Sequence, residues 1–75
     1  MEKDYGHLEI KLAELIAEKG LNKYKLSNYA DMSWQQVDSY CKNEVTRLDA
    51  HAISKLCFVL GCEIQDLLVY RPPES

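Results

Sequence analysis

The sequence is sparing with the residues that mark large or specialised folds. Its 75 residues include one phenylalanine, one tryptophan, three glycines, two prolines and three cysteines. No stretch approaches the roughly 18 consecutive apolar residues that a membrane-spanning helix needs. The opening Met1-Glu2-Lys3-Asp4 leads into a mixed segment, whereas a signal peptide requires an unbroken apolar stretch. The expectation is a soluble, cytoplasmic chain. Three cysteines, Cys41, Cys57 and Cys62, are an odd number, which does not make the even framework of a disulfide scaffold. Cys57 and Cys62 have four residues between them, a spacing zinc tolerates, but Cys41, His7 and His51 offer no second ligand pair. The thiols are therefore expected to pack as small reduced apolar groups, with no metal and no cofactor. Basic excess is missing too: nine Lys and Arg stand against twelve Asp and Glu, a net charge of −3.

What is present suffices for one core. Hydrophobic residues make up 47% of the chain, too many for a disordered segment, and the length allows one small domain without the two lobes of a typical cleft enzyme. The charge is unevenly spread. From Asn22 to Arg47 the four positives Lys23, Lys25, Lys42 and Arg47 outnumber the three negatives Asp31, Asp38 and Glu44, while the remainder carries five positives and nine negatives. This spared segment points to a polyanion-facing surface. Asp38 and Glu44 are paired with no nucleophile and no metal-ligand spacing, so no enzyme is expected.

The hydrophobic period is helical almost throughout. Leu8, Leu12, Leu15 and Ile16 fall on one helical stripe, and Gly20 after Lys19 is a stop. Leu8 to Leu12 also alternates with period two, so a short strand there could instead pair with Leu68-Val69-Tyr70-Arg71. Asn22 is a preferred N-cap, and Leu21 with Leu26 has hydrophobic-staple spacing. A second helix over 22–30 then buries Leu26, Tyr29 and Ala30, and Asp31-Met32 breaks it. Ser33-Trp34-Gln35-Gln36 is a capping box, with Met32 and Val37 as a further staple. A third helix over 33–42 turns Val37, Tyr40 and Cys41 inward and Trp34, Gln35, Asp38, Ser39 and Lys42 outward. Asn43 sits where a left-handed residue is wanted. Asp49 caps a fourth helix with Ala52, Ile53, Leu56, Cys57 and Leu60 inward, closed by Gly61. A short fifth helix, Glu63 to Leu68, is expected to bury Ile64, Leu67 and Leu68, and Arg71-Pro72-Pro73-Glu74-Ser75 continues no helix.

Two short helices joined by a tight break have helix-turn-helix spacing. On the blocks LAELIAEKGLNKYKLSNYADMSWQQVDSYCKN and RLDAHAISKLCFVLGCEIQDLLVY, the chain resembles the Cro/cI-like (xenobiotic-response-element) family of regulators, in its small stand-alone bacterial and phage-type form. The resemblance implies a compact all-α five-helix domain over 8–70 with the helix-turn-helix at 22–42, and short tails at 1–7 and 71–75. It implies a DNA-binding repressor that meets a two-fold operator as a dimer. The family's base-reading positions fall on Trp34, Gln35 and Ser39, with Ser33 and Gln36 beside them. Phosphate-positioning roles fall on Asn22 and Lys23, and on Lys42, Asn43, Thr46 and Arg47. Gln35 is the favoured reader, because Gln36 is committed to the backbone if it closes the box to Ser33.

The departures are informative. Asp31 stands where the turn usually has Gly, Ser27 where Ala is usual, and Asn43-Glu44 where Gly-Lys is common. Asp38 adds a negative charge to the reading helix. Trp34 has three readings: folding back over Tyr24 or Lys25, contact with a sugar or thymine methyl, or anchoring a protein interface. The tyrosines Tyr5, Tyr24, Tyr29, Tyr40 and Tyr70 lie on different elements and are expected in core and rim packing, and His7 and His51 as solvated or capping groups. Phe58, Val59 and Val69 lie off the main stripes and suit a homodimer interface. A second functional class is a protein-interaction module on the same fold, an antitoxin-like or anti-regulator partner.

Overall fold

Two strands and five helices make up the computed structural model, which describes residues 3–74. The order is β1 (His7–Ile10), α1 (Leu12–Glu18), α2 (Lys23–Tyr29), α3 (Trp34–Cys41), α4 (Ala50–Leu60), α5 (Ile64–Leu67) and β2 (Leu68–Arg71). At Leu8–Leu12 the period-two reading prevails. β1 pairs antiparallel with β2 in the register His7↔Arg71 to Ile10↔Leu68. Lys11 N–H extends the ladder by donating to the Leu67 carbonyl at 2.8 Å, and α1 starts at the next residue. Leu8 therefore stays on the strand, half exposed, while Ile10 enters the core. Gly6, at φ 81°, lies where an added Cβ would meet the Arg71 carbonyl at 2.2 Å, so the approach of the two chain segments depends on a missing side chain.

One hydrophobic core lies between the helices. Leu12, Leu15 and Ile16 of α1, Leu26 and Ala30 from α2, Val37 and Tyr40 of α3, and Ala52, Ile53, Leu56 and Leu60 of α4 are buried in it, with Ile10, Met32 and Leu67. Leu12, Leu26, Val37, Leu56 and Leu67 are completely shielded from solvent. Asp49 caps α4 by accepting the His51 N–H at 3.1 Å. At the other end Gly61 adopts φ 63° and lets Cys62 N–H reach the Cys57 carbonyl at 3.1 Å, a left-handed closure of the helix.

Three expectations are corrected. α5 is only four residues long, because Leu68 leaves the helix at φ −118° to begin β2, and Ile64 points to solvent with 56% exposure while Leu67 is buried. Among the tyrosines only Tyr40 is buried. Tyr70 is a rim tether, its hydroxyl donating to the Tyr5 carbonyl at 2.5 Å, but Tyr24 and Tyr29 project from α2 at 67% and 63% exposure. Tyr29 thus leaves the inward face of α2, where Leu26 and Ser27 are buried, with Ala30 just beyond the helix. The cysteines are free and half-buried against the core. Among the described residues no helix is long and apolar enough to cross a membrane.

Candidate nucleic-acid interface

Local chemistry sets the angle between α2 and α3. Asn22 starts α2, its Oδ1 accepting the Lys25 N–H at 2.8 Å. Ser33 starts α3: its Oγ accepts the Gln36 N–H at 3.1 Å, and Gln36 Oε1 accepts the Ser33 N–H at 3.1 Å. The capping box therefore forms in full, and the Gln36 oxygen is occupied by backbone. Between the helices Asp31 takes φ 53°, a left-handed conformation that Asp tolerates better than most residues. Lys55 reaches across from α4 and donates to the Asp31 carbonyl at 3.2 Å. Ser27 is buried but satisfied, its hydroxyl donating to the Tyr24 carbonyl at 2.7 Å. A small residue at this position leaves room for the helices to approach.

Helical spacing divides the outer surface of α3 into two rows. Trp34, Asp38 and Lys42 follow one another at four-residue intervals, and Gln35 and Ser39 make the next row. Asp38 is the hub of the first. Its Oδ1 accepts from Lys23 Nζ at 2.5 Å, and its Oδ2 meets Lys42 Nζ at 3.0 Å. The hydrogen bond from Lys23, then that from Lys42, holds the Asp38 carboxyl below the usual carboxylate range. The bond to Asp38 pushes the Lys23 ammonium up. Both shifts favour the charged forms of the pair. The same ammonium lies 5.6 Å from the centre of the Trp34 ring, in cation–π range. Trp34 thus leans toward Lys23 of α2, and it stays 49% exposed.

Gln35 is exposed and Ser39 half-buried, and both border a shallow hollow shared with Gln36 and Arg47. Arg47 and Thr46 lie in the exposed loop between α3 and α4, and Arg47 forms no ion pair among the described residues. Asn43 follows α3 at φ 59°. Its side chain faces β1, accepting the Ile10 N–H at 2.6 Å and donating to the Ile10 carbonyl at 3.0 Å. Both amide groups of Asn43 are therefore engaged within the fold. The candidate residues fall into two sets: Asn22, Ser33, Gln36 and Asn43 build the motif, while Lys23, Trp34, Gln35, Ser39, Lys42, Thr46 and Arg47 present side chains around α3.

In the sequence Asp38 reads as an outward carboxylate near Glu44 and as a charge unfavourable to DNA. The Asp38–Lys42 half of its role was legible as an i, i+4 pair; the Lys23 half, from another helix, was not. Among the described residues no group of three or more His, Cys, Asp or Glu side chains could hold a metal ion.

No curated protein matches the chain. Over residues 11–73 the sequence matches the family described as the Cro/C1-type HTH DNA-binding domain. That span takes in both helices of the motif, the Asp38 cluster and the Thr46–Arg47 loop. With the two helices, the tight turn and the polar outer row of α3 in place, the chain belongs to the Cro/C1-type HTH DNA-binding domain family.

Proposed function

We propose that the chain is a sequence-specific transcriptional regulator of the small bacterial and phage type, a cytoplasmic repressor that occupies a two-fold operator as a dimer and reads it through α3. The observation that carries this reading is the outward Gln35–Ser39 row, Gln35 exposed and Ser39 half-buried, with Lys23 and Lys42 on one side and Arg47 on the other. A Gln amide can bond to N6 and N7 of one adenine, and a hydroxyl can serve several base edges. Lys23, Lys42, Thr46 and Arg47 would then hold phosphates, with Asn22 at the start of α2. Residues 8–70 act as one folding and binding unit. The function is binding alone, with no catalytic step.

Fluorescence anisotropy with the duplex upstream of the protein's own coding sequence, beside a scrambled duplex at 50 and 200 mM salt, tests it. The cations Lys23, Lys42 and Arg47 of both protomers make about six phosphate contacts and give a slope of about −5.4 in log affinity against log salt. Gln35→Ala is expected to lose roughly 1–3 kcal/mol of preference for the promoter over the scrambled duplex. No binding to either duplex at the lower salt would refute the reading.

Size and surface support the dimer. A domain this small is marginal alone, and Phe58 is 87% exposed, next to Val59, which leans half-buried on the core. Val69 on β2 is half-buried as well. Sedimentation at tens of micromolar is expected to show a dimer that Phe58→Glu dissociates, and a wild-type monomer would count against it. The same exposed phenylalanine favours the second reading, an interaction module for an antitoxin-like or anti-regulator partner. Promoter preference with an intact dimer separates the two.

A further inference from the structure

Asp38 sits on the surface that the DNA-binding reading turns toward a polyanion, and simple charge counting makes it a defect. Its environment argues otherwise. The side chain is only 14% exposed, and each carboxylate oxygen is taken by a different lysine. Lys23 comes from the first turn of α2 and Lys42 from the end of α3. The two cations, 19 positions apart in sequence, are thereby held on one anchor beside the Gln35–Ser39 row. An ammonium has three donors, so each lysine keeps donors free after its bond to Asp38. A long lysine side chain loses rotamer freedom when fixed, and a lysine already fixed loses less on binding.

We propose that Asp38 is a positioning residue for DNA binding: by clamping Lys23 and Lys42 it presets the places where two backbone phosphates dock and holds Lys23 over the Trp34 ring. This rests on the DNA-binding reading above and adds to it a sign opposite to that of charge repulsion. If Asp38 only repelled DNA, removing its charge would tighten binding. As a clamp, its removal loosens binding, because two lysines return to free rotation. Phosphates carry no sequence information, so the loss falls equally on promoter and scrambled duplexes, unlike that of Gln35→Ala.

The test compares wild type, D38N, K23Q/K42Q and the triple variant D38N/K23Q/K42Q. Anisotropy with both duplexes at 50 mM salt reads affinity, thermal melting checks the fold, and the emission of Trp34, the only tryptophan, reads the position of Lys23 without DNA. D38N is expected to melt as a folded domain, to shift the Trp34 emission, and to weaken binding to both duplexes roughly tenfold, a coupling within the range for residues in contact. In the K23Q/K42Q background the carboxylate has nothing to hold, so adding D38N leaves affinity unchanged or raises it. D38N binding as tightly as wild type, or more tightly, overturns the proposal. So does an equal loss from D38N in both backgrounds, which would assign the effect to Asp38 itself. Wild type failing to bind either duplex overturns the DNA reading and this inference with it; wild-type binding with an unweakened D38N overturns this inference alone.

Discussion

Leu56→Ala is expected to destabilise the domain by about 2–5 kcal/mol, the cost of deleting a buried side chain and leaving its cavity. Leu56 is wholly buried at the middle of α4, the longest helix, among side chains from the other elements. A chain of 75 residues has a total stability of roughly 4–11 kcal/mol at the usual value per residue. One such substitution therefore removes a large share of it. Thermal melting followed by circular dichroism is expected to show a fall of roughly 10–30 °C. Ser54, exposed two positions earlier on the same helix, is the internal control. Its replacement by alanine is expected to change stability by no more than about 0.5 kcal/mol. Similar losses at the two positions would show that α4 is not buried along the Leu56 face.

Asn43→Ala is expected to have the second largest effect, about 2–4 kcal/mol, by two separable routes. Asn43 holds φ 59°, a conformation costing about 1–2 kcal/mol for an ordinary side chain. Its amide also gives and takes one hydrogen bond at Ile10, 33 positions earlier, each contributing about 0.5–1.5 kcal/mol. Lys11 N–H bonds to Leu67 on the β2 side. By antiparallel alternation the polar groups of Ile10 then face away from β2, and Asn43 supplies what a third strand would. It closes part of an edge that would otherwise be open to pairing. Asn43→Gly keeps the backbone conformation and loses only the clip, so urea denaturation is expected to rank the proteins Asn, then Gly, then Ala. Equal values for Gly and Ala would remove the backbone contribution from the account; equal values for Gly and Asn would remove the clip.

The parts of the fold that sequence made legible are those decided by near neighbours. Asn22, Ser33 and Asp49 each cap the helix that begins one residue later, because a cap needs a side-chain oxygen and a free N–H two or three residues on. Left-handed Asp31 and Asn43 follow from the same local logic. The strand pair was legible as one of two periodicities, and only the partner strand decided between them. α5 misled because Ile64 fits a helical stripe, yet the chain at Leu68 is claimed by β2, which shortens the helix and leaves Ile64 outside. The candidate site divides in the same way. Gln35 and Ser39 could be placed outward from the period of α3, and the Gln36 commitment from its spacing to Ser33. The Lys23–Asp38 bond joins residues 15 apart and the Asn43–Ile10 clip joins residues 33 apart, distances at which no local pattern constrains a pair.

The strand pair also has a mechanical consequence. His7 and Arg71 are opposite one another at the outer end of the ladder, and the chain leaves both in the same general direction from the helices. Tension applied through the flanking residues would therefore act along the rungs and load them one at a time, from His7–Arg71 inward. Strands gripped at opposite ends would resist in shear, sharing the load among all rungs. Here the outer rungs yield before the load reaches Ile10, which is buried in the core and clipped to Asn43 beside α3.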